Sequence, residues 1–591
     1  MNRTAQGQPS FALLLAVAWL VAAVQLLAEN WAATAVSMPD PDDAMRLVEM
    51  RSWLAGQGWF DLHLARMGPP VGYDSHWSRL IDAGLGGLFL LFRHYTDFGF
   101  AERLMMTIWP PLWLIPTIGG AAAIAWRIGG RAAALVALLI AAFSLPAFQH
   151  FRPGRIDHHN VQIALAILTG TATAWCDRKR WAAVAAGALT GLALAIGLES
   201  LPFLVVCAGA MALYFVFRRD MAGSVRAYGL SLSAATAMAF VVSVGPVHWL
   251  QSACDTIAIN SAAAVVFGGL VLAGTAHFWR ADGVAMRMAA IGAVGAATIA
   301  LYAAFEPRCL AGPYALVDPA IGPIYLSRVL EMQPVWRFIQ HSASAGVATV
   351  AFPGFALLAM AVVMRRTARW RDGGTGLAAA LLLMAFAVTM TAVKGYSYAM
   401  WFGLPFVAVG ALDLFAWLSL RSLAAKSFVI LLLTPTAVTI GATSIASALD
   451  NGRRPSAINS SERQACTRRD SYDRLAALPQ GLVVANQLEW GPFILAWTPH
   501  AVLGGPYHRL AEGIVQNYRA FALPPEEAHS LLSGLHASYL VVCGTKAPVG
   551  MEERAENGTL WALVREGRPP AWLEPLAGTA GGPVVIYRIR S

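Results

Sequence analysis

Long apolar runs alternate with short polar breaks along most of this chain, and the runs set its architecture. About thirteen of them reach the ~17–25 residues that cross a bilayer core. They cover 11–27, 104–125, 132–148, 161–175, 181–198, 201–217, 230–250, 262–278, 288–305, 345–364, 377–393, 400–420 and 428–449. From about residue 450 the pattern shifts to short β-rich runs around Leu482–Val484, Tyr539–Val542 and 583–587. There Pro525, Glu526 and Glu527 open a helix with proline and acids in its first turn. The pattern predicts a polytopic α-helical membrane domain over 1–450 and a carboxy-terminal α/β domain of roughly 140 residues over 451–591.

Composition narrows the class. With 57% hydrophobic and 13% charged residues, the chain is not a soluble globular protein. The basic residues divide unevenly between alternate loops. One set holds Arg3, Arg127, Arg131, Arg178, Arg218, Arg280, Arg365 and Arg421, and the short loops of the other hold chiefly Arg152, Arg155 and Lys394. The positive-inside rule puts the amino terminus in the cytoplasm and the carboxy-terminal domain outside a bacterial-type plasma membrane, periplasmic or extracellular. The net charge of +9 is thus a topological feature and gives no reason to expect nucleic acid. The first run is too long for a signal-peptide core and is expected to stay as a helix. Six cysteines make no dense framework, but Cys466 and Cys543 share the outer region and are placed to pair in an oxidising compartment.

Two outer loops are too long to be connectors. The first, 29–103, opens with Pro39-Asp40-Pro41-Asp42-Asp43 and continues into an amphipathic helix with Met45, Val48, Trp53 and Leu54 on its apolar face. Asp42 and Asp43 suit a helix cap, whereas Asp40, between two prolines, has no such local task. The second, 306–341, is rich in Gly and Pro and contains Ser327-Arg328-Val329-Leu330-Glu331-Met332-Gln333-Pro334. Between two spans lies Arg152-Pro153-Gly154-Arg155-Ile156-Asp157-His158-His159. Asp157 and His159 face different ways on a regular helix and converge on one ion only in an irregular turn at a helix start. The plainer reading makes Asp157 a cap and the histidines headgroup neighbours. Lys394 is either a snorkelling lysine or an anion partner. Glu199, at the outer end of another helix, has no partner evident in the sequence.

Every one of these groups falls on the same predicted outer face, and ionisable residues are sparse in the middle of the helices. A transporter would concentrate polar groups near the midplane. Carboxylates with imidazole suit a divalent ion, Mn²⁺ or Mg²⁺, able to balance a phosphate leaving group. No phosphate-binding glycine loop, dinucleotide fingerprint, zinc-spaced cysteine set or nucleophile elbow is present.

The order of these pieces resembles the catalytic subunit of oligosaccharyltransferases, in the GT-C superfamily of polyprenyl-linked glycosyltransferases. Asp40-Pro41 with Arg46 resembles that family's first-loop motif, which supplies the catalytic aspartate. Arg152 to His159 resembles its second acidic motif, with His159 in place of the second acid. Ser327 to Pro334 resembles the loop whose glutamate contacts the acceptor, here Glu331. The sequon-reading motif would fall at Gln487-Leu488-Glu489-Trp490-Gly491, where only the last three residues are similar. The run Thr498 to Arg509 is a candidate for shaping this variant acceptor pocket.

The resemblance implies Asp40 and Glu331 as catalytic residues and Asp40, Asp42, Asp43, Asp157, His158 and His159 as metal ligands. It further implies Lys394, Arg152 and Arg155 on the donor phosphate, and Glu331, Gln333, Glu489, Trp490 and Gly491 on the acceptor. The expected activity is inverting, metal-assisted transfer of a sugar or oligosaccharide from a polyprenyl-(di)phosphate to a protein, lipid or glycan. The alternatives are single-sugar transfer from a polyprenyl monophosphate and a non-enzymatic flippase of lipid-linked sugars.

Overall fold

The computed structural model describes residues 10–279, 283–367, 369–448, 464–544, 547–551 and 558–590. The predicted boundary at 450, and Arg3 and Arg280 of the basic loops, lie outside the described residues.

Each predicted apolar run falls on a helix, with adjustments that have local causes. Phe11–Asn30 starts where the Ser10 hydroxyl accepts from the Leu13 N–H. It turns Ala18, Ala22 and Leu26 inward and leaves Leu13, Val17, Leu20 and Val24 exposed, a lipid-facing stripe at helical spacing. The runs at 104–125 and 132–148 belong to Phe98–Leu112 and Leu114–Ala142, and the latter breaks at Gly130. At φ 77° that residue takes a conformation that L side chains avoid, so the chain turns there between Arg127 and Arg131. The last predicted span is not one straight helix. Leu423–Leu432 and Pro435–Ser447 meet at 55°, because Pro435 starts a new helix capped by Thr434.

Among the described residues, eight helices are long and apolar enough to cross a membrane, and nine if the bent pair counts as one span. Arg180–Ile196 and Leu201–Phe217 are apolar but shorter. Close helix packing replaces a hydrophobic driving force inside a bilayer. A side chain at Gly187 or Gly191 would meet the Tyr228 carbonyl or the Thr236 nitrogen at 2.5 and 2.7 Å.

Beyond the helices, five strands form one sheet in the order Ala501–Val502, Val483–Asn486, Ala537–Cys543, Val584–Ile589, Leu573–Pro575. The first three are parallel and the last two join antiparallel. Cys466 and Cys543 form the expected disulfide, and a second, Cys254–Cys309, joins the segment after the helix Ala222–Ser243 to the second long loop. The sheet region is sewn to the first outer loop by backbone bonds. Gly68 N–H donates to the Val502 carbonyl, Val502 N–H to the Arg66 carbonyl and Arg469 N–H to the Val36 carbonyl. Arg51 and Arg66 add side-chain bonds to the carbonyls of Ala496, Thr498 and His500.

Candidate active site

The acidic stretch of the first loop folds as the start of Pro41–Leu54. The cap is Asp40, expected to have no local task, rather than Asp42 or Asp43: it accepts from Asp42 N–H at 3.1 Å, because Pro41 takes the first position of the helix's first turn. Asp42 and Asp43 lie in that turn, where a helix N-terminus favours negative charge. One turn on, Arg46 is fully buried. It bonds Glu49 and Asp82 at 2.9 Å each and lies over the Trp77 ring, so it serves the scaffold.

The second motif is irregular, as convergence requires. Gly154 has φ 93°, and a side chain there would meet Pro39 at 3.0 Å, so this glycine lets the two motifs touch. Asp157 N–H then donates to Asp43 Oδ1 at 3.0 Å. The helix His159–Trp175 follows, with His159 N–H donating to Asp157 Oδ1 at 3.0 Å. Asp157, two residues before the helix, thus holds its first N–H with one oxygen while the other faces Arg155.

Arg155 lies among the acids, its side chain one-tenth exposed. Its guanidinium reaches Asp40 at 3.1 Å, Asp43 at 3.4 Å and Asp157 at 2.7 Å. One cation does not satisfy this group, and the buried Asp43 Oδ2 makes no hydrogen bond. Burial, then the charges of Asp40, Asp157 and Glu331, push the Asp42 carboxyl well above its ordinary value. Burial also raises Asp157, but Arg155 and the neighbouring histidines outweigh it and hold that carboxyl below the usual range.

His159 joins this cluster to three later segments. Its Nε2 is 4.0 Å from Asp157 Oδ2 and 3.9 Å from Glu331 Oε2. Those gaps are too wide for hydrogen bonds, and two ligands that share an ion with bonds of ~2.0–2.2 Å span up to about 4 Å. Its Nδ1 faces Glu199 Oε2 at 3.1 Å, and Glu199 Oε1 accepts from Lys394 at 2.9 Å. Burial raises Glu199, but Lys394 and His159 outweigh it and keep the carboxyl well below its ordinary value. A carboxylate behind a ring nitrogen fixes the tautomer and aims the opposite nitrogen. Glu199, left without a role in the sequence reading, thus joins His159 to Lys394.

The other expected residues divide. His158 packs its ring against Trp77 and His159, and its Nδ1 is buried without a hydrogen bond. The ligating atoms of His158, His159 and Glu199 lie within 4.8 Å of one another. Donor chemistry, gaps and orphaned atoms all fit a divalent cation. Glu331 is about half-exposed, and the Gln333 carbonyl accepts from Val393 N–H at 2.9 Å, tying the Glu331 loop to the Lys394 turn. Arg152 is exposed at the rim. Trp490 and Gly491 are core: the indole bonds Gln487 at 3.0 Å, and a side chain at Gly491 would meet the Gly504 carbonyl at 2.1 Å. Their turn lies beneath the second loop, where Leu488 packs against Ile321 and Ile514.

No family model and no curated protein matches the sequence. Solved structures do. An Archaeoglobus fulgidus oligosaccharyltransferase, AglB, in complex with an inhibitory peptide and a dolichol-phosphate, aligns at TM-score 0.65 and 14% identity over 90% of this chain and 69% of that one. The A. fulgidus enzyme tethered to an acceptor peptide aligns at TM-score 0.60 and 15% identity, covering 98% and 74%. Its complex with Zn and sulfate aligns at TM-score 0.55 and 14% identity, covering 90% and 68%.

Proposed function

We propose that this chain, whose fold is the GT-C arrangement of oligosaccharyltransferases, is a membrane glycosyltransferase. It moves a sugar or oligosaccharide from a polyprenyl-phosphate or polyprenyl-diphosphate to a protein, lipid or glycan acceptor, with inversion at the anomeric carbon. One observation carries the reading: His159 Nε2 stands 3.9–4.0 Å from oxygens of Asp157 and Glu331, gaps wider than hydrogen bonds, while its Nδ1 faces Glu199, which pairs with Lys394.

Lys394, with Arg152 at the rim, receives the donor phosphate, and Glu199 holds that lysine in place beforehand. Glu331 and Asp40 orient the acceptor N–H or O–H, and Asp40 takes its proton. Arg155 locks the two acidic motifs together and keeps Asp157 ionised. Asp42, Asp157 and His159, with Asp40, Asp43 and His158 around them, would hold Mn²⁺ or Mg²⁺, which supplies positive charge against the departing phosphate. The acceptor meets Glu331 and Gln333 rather than Trp490, which is in the core. Both disulfides lie in segments on the side of these residues and suit an oxidising compartment. That supports a plasma-membrane protein with a cytoplasmic amino terminus and an outer domain from about residue 451.

The test is donor turnover by purified protein in lipid. Cleavage of a labelled polyprenyl-linked sugar is expected, and Asp157→Ala or His159→Ala should abolish it while leaving insertion intact. Passage of the labelled lipid across the bilayer without cleavage would make the protein a flippase instead.

A further inference from the structure

A second group of metal-binding side chains lies outside the residues used above. His76 precedes the helix Arg79–Arg93 in the first outer loop. Asp255 follows Cys254, whose disulfide anchors that loop to Cys309 at the head of the second long loop. His508 comes from the carboxy-terminal region, just past the strand Ala501–Val502. These segments are far apart in sequence, yet one ligating atom from each lies within 4.8 Å of the other two. His508 Nε2 is 2.7 Å from Asp255 Oδ2, and the His76 and His508 rings are 4.7 Å apart. The His508 and Asp255 side chains are only 11% and 12% exposed. The Nδ1 of His76 is buried without a hydrogen bond, a cost that a ligand would relieve. Tyr314, from the second loop, closes the group with its ring edge-on to His508 at 5.1 Å.

We infer that His76, Asp255 and His508 form a second cation site, of the two-imidazole, one-carboxylate kind that takes Zn²⁺. Two imidazole nitrogens and one carboxylate oxygen match this ion's usual donors and leave the fourth tetrahedral position to water. Arg509 also contacts the group, bonding both Asp255 oxygens at 2.7–2.8 Å. A ligating carboxylate is normally held by such an outer partner, and Asp255 keeps free lone pairs for an ion. Ligands on one Zn²⁺ at ~2.0–2.1 Å stand about 3.3 Å apart, so the Asp255–His508 contact opens by roughly half an ångström on binding. His508 then gives its nitrogen to the ion instead of to Asp255. The bound ion clamps the carboxy-terminal region to the first long loop and to the Asp255 segment, which the Cys254–Cys309 disulfide ties to the second, independently of what the other site does.

The experiment uses the full chain in detergent, stripped with EDTA and titrated with Zn²⁺ against a chelating dye. Asp157→Asn/His159→Ala serves as background, because it removes the ion expected at the first site. About one equivalent should bind with sub-micromolar affinity. It should be lost in His76→Ala and in His508→Gln added to that background. Melting in EDTA reports folding, and His76→Ala, whose Nδ1 makes no hydrogen bond, should melt there like its parent. In the parent, Zn²⁺ should raise the melting temperature, and His76→Ala should abolish the rise. No tight equivalent in the background protein, or one that survives both substitutions, would overturn the site and leave only an ion-paired tether.

Discussion

The short helix Pro41–Leu54 carries two buried charge clusters, and they are built differently. Toward its middle, Arg46 and Arg79 face Glu49 and Asp82, two cations for two anions, with ion pairs of 2.9–3.0 Å. At its start, Asp40, Asp43 and Asp157 share the single guanidinium of Arg155, and His159 Nε2 stands 3.9–4.0 Å from oxygens of Asp157 and Glu331. Buried charge has to be balanced: the first cluster has a cation for each anion, whereas the second has more acids than cations and so retains capacity for one. Both are assembled from outer loops, so burial alone does not mark a reactive site. Stoichiometry and spacing do.

The largest expected effect falls on the unbalanced cluster. Asp157→Asn should lower transfer by roughly 100–1000-fold with little change in melting temperature, measured as initial rates and thermal scans on the same preparation. The balanced cluster should behave in the opposite way. Arg46→Met leaves the buried Glu49 without its cation and Asp82 with Arg79 alone, and should cost about 3–5 kcal/mol, seen as lost expression or a large fall in melting temperature. A smaller effect is expected where the two motifs touch. Gly154→Ala forces a left-handed backbone on a residue with a Cβ, costing about 1–2 kcal/mol, and presses on Pro39. Transfer should drop about tenfold, while Gly58→Ala, at a negative-φ position where a Cβ would make only an ordinary contact with Asp61 at 3.7 Å, stays near wild type.

The smallest effect separates Glu199 from the rest. Its carboxyl sits below its ordinary value when folded. Its contribution is therefore present above the ordinary glutamate range and is lost as pH falls through the folded value. Glu199→Gln should flatten the decline of melting temperature on acidification from pH 6, and an unchanged slope would deny the Lys394 and His159 pairing.

The sequence made the helices readable because bilayer-length apolar runs have few other uses. It made the Asp157–His159 turn readable because helix breakers stand beside ligand-type residues. Arg155 was expected on a phosphate, yet it turns inward to Asp40 and Asp43. Only the approach of Pro39 to Gly154 makes that possible, and no local pattern encodes such a distance. Glu199 went without a role for the same reason, since its partners lie 40 residues before it and 195 after it in the chain. The Cys254–Cys309 bond was likewise set by tertiary placement, whereas the break at Pro435 has a local cause, the Thr434-Pro435 helix start, that the length of the apolar run hides.

The most direct test of the central claim is to titrate Mn²⁺ into chelator-stripped protein, reading binding by electron paramagnetic resonance and donor cleavage in the same samples. Cleavage should rise in step with one bound Mn²⁺ that Asp157→Asn abolishes. Full cleavage in excess EDTA, or Mn²⁺ binding that Asp157→Asn leaves intact, would contradict it.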